Sequence, residues 1–172
     1  MPDSTHVFKQ ETLEYITTRF PDTSIQILDV GPGKGAYSKL LRPPYLNMDA
    51  CEIWGSYVRE YNLENKYRKI FIADICTFEF KYYDLIIMGD VLEHISIIRA
   101  QALLERILPK CSELIVAVPY ELPQKGPDNE CHVQDDLTPQ IMLERYPVLK
   151  SLFVSYHSST FNYGIYVRKP ID

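Results

Sequence analysis

Apolar residues along this chain come in two rhythms that take turns. Short continuous apolar runs, such as "SIQILDV" and "SELIVAVPY", are too short for buried helices and read as strands with both faces covered. Between them lie amphipathic stretches of helical spacing. Residues 5–20 carry Phe8, Leu13, Ile16 and Phe20, with Pro21 as a stop. "AYSKLLR" ends at Pro43-Pro44, "WGSYVREYNLENKY" follows a second strand in "YLNMDACEI", and "IIRAQALLERIL" follows a fourth in "YYDLIIMGD". "KIFIADI" is the third strand, and "VLEHI" is expected to be a short helix. A last helix is predicted over "TPQIMLERY", with Thr138 as N-cap and proline at its first position. The two final runs, "KSLFVSYHS" and "NYGIYVRK", leave no room for a helix between them, so they must pair antiparallel. The pattern predicts a doubly wound α/β sheet, parallel for five strands and closed by an antiparallel hairpin.

At 172 residues the chain fits one domain, 1–172. No apolar run is long enough to span a membrane, and "MPDSTHVFKQ" is too polar for a secretory signal, so the cytoplasm is the expected location. The formal net charge of −5 speaks against a broad nucleic-acid surface. Cys51, Cys76, Cys111 and Cys131 form no C-x-x-C pair and read as reduced structural thiols.

The chemistry is concentrated in "ILDVGPGKGA". Gly31, Gly33 and Gly35 follow the first strand directly, at the edge of the sheet where such folds bind ligands. Missing β-carbons let the chain turn sharply and let a ligand approach the backbone. Gly31, Gly33 and Ala36 satisfy the dinucleotide pattern G-x-G-x-x-A literally. Asp29, two residues before the first glycine, is expected to face the ligand. A carboxylate there suits an ammonium or sulfonium better than a pyrophosphate.

With those residues in view, "ILDVGPGKG" resembles the D-x-G-x-G-x-G motif of the class I S-adenosylmethionine-dependent methyltransferases, and the likeness continues in order and spacing over residues 24–120. The resemblance implies a Rossmann-like methyltransferase fold with S-adenosylmethionine as cofactor. It assigns Glu52, closing the second strand, to the ribose hydroxyls, in preference to Asp49, which lies mid-strand. It assigns Asp74 to the adenine amino group and sets Ile53 and Ile75 on either side of the ring. After the fourth strand, Asp90 begins "DVLEH", which many small members of the family carry. Asp90 and Glu93 also read as a capping pair for the next helix, and Asp90 and His94 as sharing one helical face.

A hydroxyl acceptor needs a base, whereas an amine need only be neutral. The long loop "PYELPQKGPDNECHVQDD" supplies candidates, because similar methyltransferases carry an Asn-x-x-Glu-x-His segment there. His132, helped by Glu130, is the candidate for acceptor contact or proton removal, with His94 beside the pocket. Glu130, His132, Asp135 and Asp136 match no zinc spacing, and no metal is assigned. With no Asn/Asp-Pro-Pro-Tyr/Phe tetrad, DNA bases and protein glutamine are disfavoured as acceptors. A small molecule or glycan fits better. Two other readings stay open: a non-catalytic cofactor-binding subunit and a nicotinamide-dependent oxidoreductase.

Overall fold

The structure, a computed structural model, describes residues 6–126, 131–158 and 161–169. Seven strands form one sheet: β1 (Ile27–Val30), β2 (Met48–Glu52), β3 (Lys69–Ile72), β4 (Tyr83–Gly89), β5 (Cys111–Pro119), β6 (Leu149–Ser155) and β7 (Tyr163–Arg168). Their spatial order is β3-β2-β1-β4-β5-β7-β6. β1 pairs parallel with β2 and β4, and β4 pairs parallel with β5. β7 runs antiparallel between β5 and β6, as the closing hairpin requires. The chain thus leaves β1 toward one edge and returns at β4 toward the other. The C-terminal ends of β1 and β4 flank the crevice that this reversal opens.

Each strand's alternation feeds two cores. Ile27, Leu85 and Ile115 face one side, with Ile16 of α1 (Lys9–Arg19), Leu41 of α2 (Ala36–Leu41) and Val58 of α3 (Gly55–Glu60). Leu28, Ile86 and Val116 face the other, against α4 (Ile97–Ile107) and α5 (Pro139–Arg145). In α4 the buried residues are Ala100, Leu103, Leu104 and Ile107, the i, i+3, i+4, i+7 stripe expected of a one-sided helix. α2 stops before Pro43, whose missing N–H cannot continue it.

Three helical expectations are corrected. The stretch after β2 is two pieces, α3 and a 3-10 turn at Leu63–Asn65, because Asn62 adopts a left-handed φ of 51°. "VLEHI" is only a 3-10 turn, Leu92–His94, so Asp90 and His94 share no helical face. Asp90 and Glu93 do not cap the helix they were expected to cap, because α4 begins only after Ser96. The cap on α5 is as expected, with Thr138 accepting from Ile141 N at 3.1 Å. Thr138→Ala should cost about 1 kcal/mol, read as a lower midpoint in urea unfolding with unchanged slope. All four cysteines are free, and burial pushes the Cys51 thiol up to about 12 and that of Cys111 to about 11, so both are inert packing groups.

Candidate active site

A cavity opens at the switch point, walled by the ends of β1, β2 and β4 and by the segment after β3. Counting its open mouth it encloses about 1270 Å³, room for a nucleoside with an amino-acid tail. Gly31 and Gly33 form its floor, with left-handed φ of 62° and 50°. At Gly31 a β-carbon would lie 2.6 Å from Val91 Cγ2, so this turn can close only over glycine.

Glu52, 3% exposed, ends β2 on the cavity wall. Its Oε1 accepts from Trp54 N at 2.9 Å. Burial raises its pKa, while the amides of Trp54, Gly33 and Ile53 pull the other way. Its rival Asp49 is engaged elsewhere: Arg68 Nε and Nη2 reach its two oxygens at 2.9 Å, and Lys81 and Tyr83 complete a structural ion cluster. Asp74 lies on the wall, its Oδ1 accepting from Cys76 N at 2.8 Å and its Oδ2 from Arg99 at 2.7 Å. Burial opposes ionisation there, but these donors outweigh it and hold the carboxyl below its usual range. Ile53 and Ile75 line the same end, joined by Trp54, Tyr57 and Arg99, which the sequence reading did not single out.

Two expected wall residues lie elsewhere. Asp29 shares the face of Ile27, and its Oδ2 accepts from Tyr67 Oη at 2.6 Å beneath the glycine loop. It is 1% exposed and lies behind the loop, not among the residues that line the cavity. Desolvation pushes its carboxyl up to about 7, against the Tyr67 hydrogen bond and the nearby Lys9 charge. Gly35 serves the turn itself: it is the N-cap of α2, at φ 78°.

At the other end the cavity is walled by Asp90, Glu93, His94 and His132. Asp90, at φ 56°, accepts from Tyr163 Oη at 2.8 Å. Glu93 is fully buried, and its pKa is raised well above the usual range by burial and then by Asp90. The His94 and His132 rings meet edge to face with centroids 4.7 Å apart. What brings the late loop here is Gln134, which is 2% exposed. Its Nε2 donates to Leu92 O and Ile95 O at 2.9 and 2.7 Å, while Val133 N and Gln134 N donate to Glu93 O. Tyr146 Oη donates to Gln134 Oε1 at 2.8 Å. Glu130 lies outside the described residues. Asp136, in an ion pair with Arg145, is turned away to α5.

Residues 28–115 match the family described as "Methyltransferase domain", more than half of the chain. The chain belongs to the class I S-adenosylmethionine-dependent methyltransferases. No curated protein matches it. Among solved structures, the plantazolicin methyltransferase BpumL in complex with S-adenosylhomocysteine is 15% identical, with a TM-score of 0.70 over 94% of this chain and 82% of that one. An S-adenosylmethionine-dependent methyltransferase from Clostridium acetobutylicum is 12% identical, with a TM-score of 0.68 over 95% and 92%. The N-methyltransferase NodS from Bradyrhizobium japonicum is 13% identical, with a TM-score of 0.65 over 95% or more of both chains (96% and 98%). At these identities the likeness is one of fold. No described helix of the methyltransferase is long and apolar enough to cross a membrane.

Proposed function

We propose that the Glu52–Asp74 end of the cavity holds the nucleoside of S-adenosylmethionine and that the Glu93–His94–His132 end receives a small-molecule or glycan acceptor. The observation that carries this is one continuous wall running from a buried, amide-held carboxylate, past a bare glycine backbone, to two imidazoles. When bound, the cofactor supplies a methyl group activated on a positively charged sulfur.

Glu52 is fixed by backbone amides and keeps lone pairs for two ribose hydroxyls. Ile53 and Ile75 offer flat apolar contact to a base, and Asp74, with further lone pairs beyond those used by Cys76 and Arg99, can accept from an amino group. Gly31 and Gly33 leave the main chain open to the amino-acid tail, and Asp90 adds negative charge near the sulfonium. Alignment and exclusion of water then do much of the catalysis. His132 and His94 each face an acceptor carbonyl through Nδ1, which leaves Nε2 of the neutral ring to take a proton from an acceptor hydroxyl.

Two observations support a compact acceptor. The chain's acidic charge disfavours a polyanion. The fold of the N-terminal domain of EvdMO1, solved in the presence of S-adenosylhomocysteine and D-fucose, aligns over 96% of this chain at 16% identity with a TM-score of 0.69. Isothermal titration with S-adenosylmethionine and S-adenosylhomocysteine tests the reading. Wild type should bind both, and Glu52→Ala should weaken binding by about 1–3 kcal/mol, roughly 5- to 150-fold. Absence of binding by folded wild type at high micromolar ligand sinks it.

A further inference from the structure

Three groups able to ligate a metal converge at the inner end of the cavity. Nδ1 of His94 lies 3.0 Å from Cys131 O, and Nδ1 of His132 lies 2.6 Å from Leu122 O. A carbonyl oxygen can only accept, so each Nδ1 carries the hydrogen, and Nε2 is the lone-pair atom of the neutral ring. Glu93 is completely buried on the cavity wall, and neither of its carboxylate oxygens has a hydrogen-bond partner among the described residues. One ligand atom from each of Glu93, His94 and His132 lies within 4.8 Å of the others, and His132 Nε2 is 4.0 Å from Glu93 Oε1. A buried carboxylate in this place needs a proton or a positive group to offset its burial, and a cation shared with the two imidazole nitrogens would supply one.

We propose that Glu93, His94 and His132 bind one divalent first-row transition cation. Two imidazole nitrogens and one carboxylate suit Zn²⁺, Mn²⁺, Fe²⁺ or Co²⁺ better than Ca²⁺, which prefers oxygen throughout. Ligands about 2.1 Å from a cation sit about 3–3.5 Å apart, so loading draws these side chains together by about an ångström. The surroundings fit that task. Each histidine donates its one ring N–H, at Nδ1, to a backbone carbonyl, the arrangement that fixes the tautomer of a metal-bound imidazole. The buried Gln134 amide pins the segment carrying His132 onto the turn carrying Glu93 and His94. Three protein ligands on one side leave coordination positions facing the cavity.

Cation binding stands on this geometry alone. Its use in methyl transfer rests on the proposed function: an acceptor oxygen filling an open position would be oriented, and a metal-bound hydroxyl gives up its proton more readily. In the loaded site that proton goes to water at the cavity mouth, because both Nε2 lone pairs are ligands and the histidines no longer act as bases. The set escaped the sequence reading because its members lie far apart in sequence, two in "DVLEH" and one in the late loop.

The test uses the full chain, treated with chelator and then titrated with Co²⁺ alone, followed by visible absorption and equilibrium dialysis. One equivalent should bind, with ligand-field bands and no thiolate charge-transfer band. Glu93→Gln and His132→Ala, each checked for folding by circular dichroism, should weaken binding at least about 100-fold, beyond the usual cost of losing an outer-shell partner. If either variant fails to fold, His94→Asn replaces it. The site is overturned if wild type binds no Co²⁺ at millimolar concentration, or if spectrum and affinity survive the substitutions. The latter includes the case in which a protonated His132 alone neutralises Glu93. Titration of the same metal-free protein with S-adenosylhomocysteine separates the two readings, since cofactor binding without Co²⁺ binding removes only the cation site.

Discussion

Asp29→Asn should stabilise the methyltransferase at neutral and higher pH while changing little at pH 4. The wild-type carboxyl sits in a fully buried place where desolvation pushes its pKa up to about 7, against 3.8 for an ordinary aspartate. The folded state therefore holds this proton more tightly than the unfolded chain does. The stability linked to that proton is complete below about pH 4 and is lost as pH rises through about 7. At pH 8 the difference is on the order of 4 kcal/mol. Asparagine keeps the oxygen that accepts from Tyr67 and removes the charge, though Lys9 then loses one of the two carboxylates that favour its ammonium form. Urea unfolding of both proteins from pH 4 to pH 8 measures the effect. A difference that stays flat across this range contradicts the buried placement.

Gln134→Ala should cost about 3–5 kcal/mol, since the carbonyls of Leu92 and Ile95 and the Tyr146 hydroxyl would each lose a buried partner at about 1–3 kcal/mol, softened by relaxation. Gln134→Glu should be no milder, because it replaces the donor between two carbonyl oxygens with a carboxylate. A loss of a few kcal/mol lowers the melting midpoint by roughly 10 °C in a chain of this size. A shift under 2 °C for Gln134→Ala would mean that water replaces the amide and that the loop is not held by it.

The architecture was legible because strands and helices differ in period, and because two strands with no helix between them have only one way to pair. The Glu52 and Asp74 positions followed from strand ends. The side on which Asp29 lies was not legible, for a physical reason. All four residues of β1 are buried, so no polar alternation marks which face each side chain takes. The stretch "VLEHI" has helical composition, but the 3-10 turn sets Glu93 inward, and no local signal distinguishes a capping glutamate from one buried in a cavity wall. Gln134 carries the late loop through hydrogen bonds to Leu92 and Ile95, about forty positions earlier, which no local pattern encodes. Arg99 reaches the cavity from the outer face of α4, whose periodicity reads simply as solvent-facing, and Trp54 from the extended residue that precedes α3.

The central claim is that one cavity carries the cofactor at one end and the transfer chemistry at the other. A crystal structure with S-adenosylhomocysteine tests it most directly. Ribose hydroxyls should lie on the Glu52 carboxylate and adenine between Ile53 and Ile75, with the thioether sulfur pointing toward Glu93, His94 and His132. A nucleoside bound away from Glu52, or a sulfur turned from the two histidines, would contradict the account.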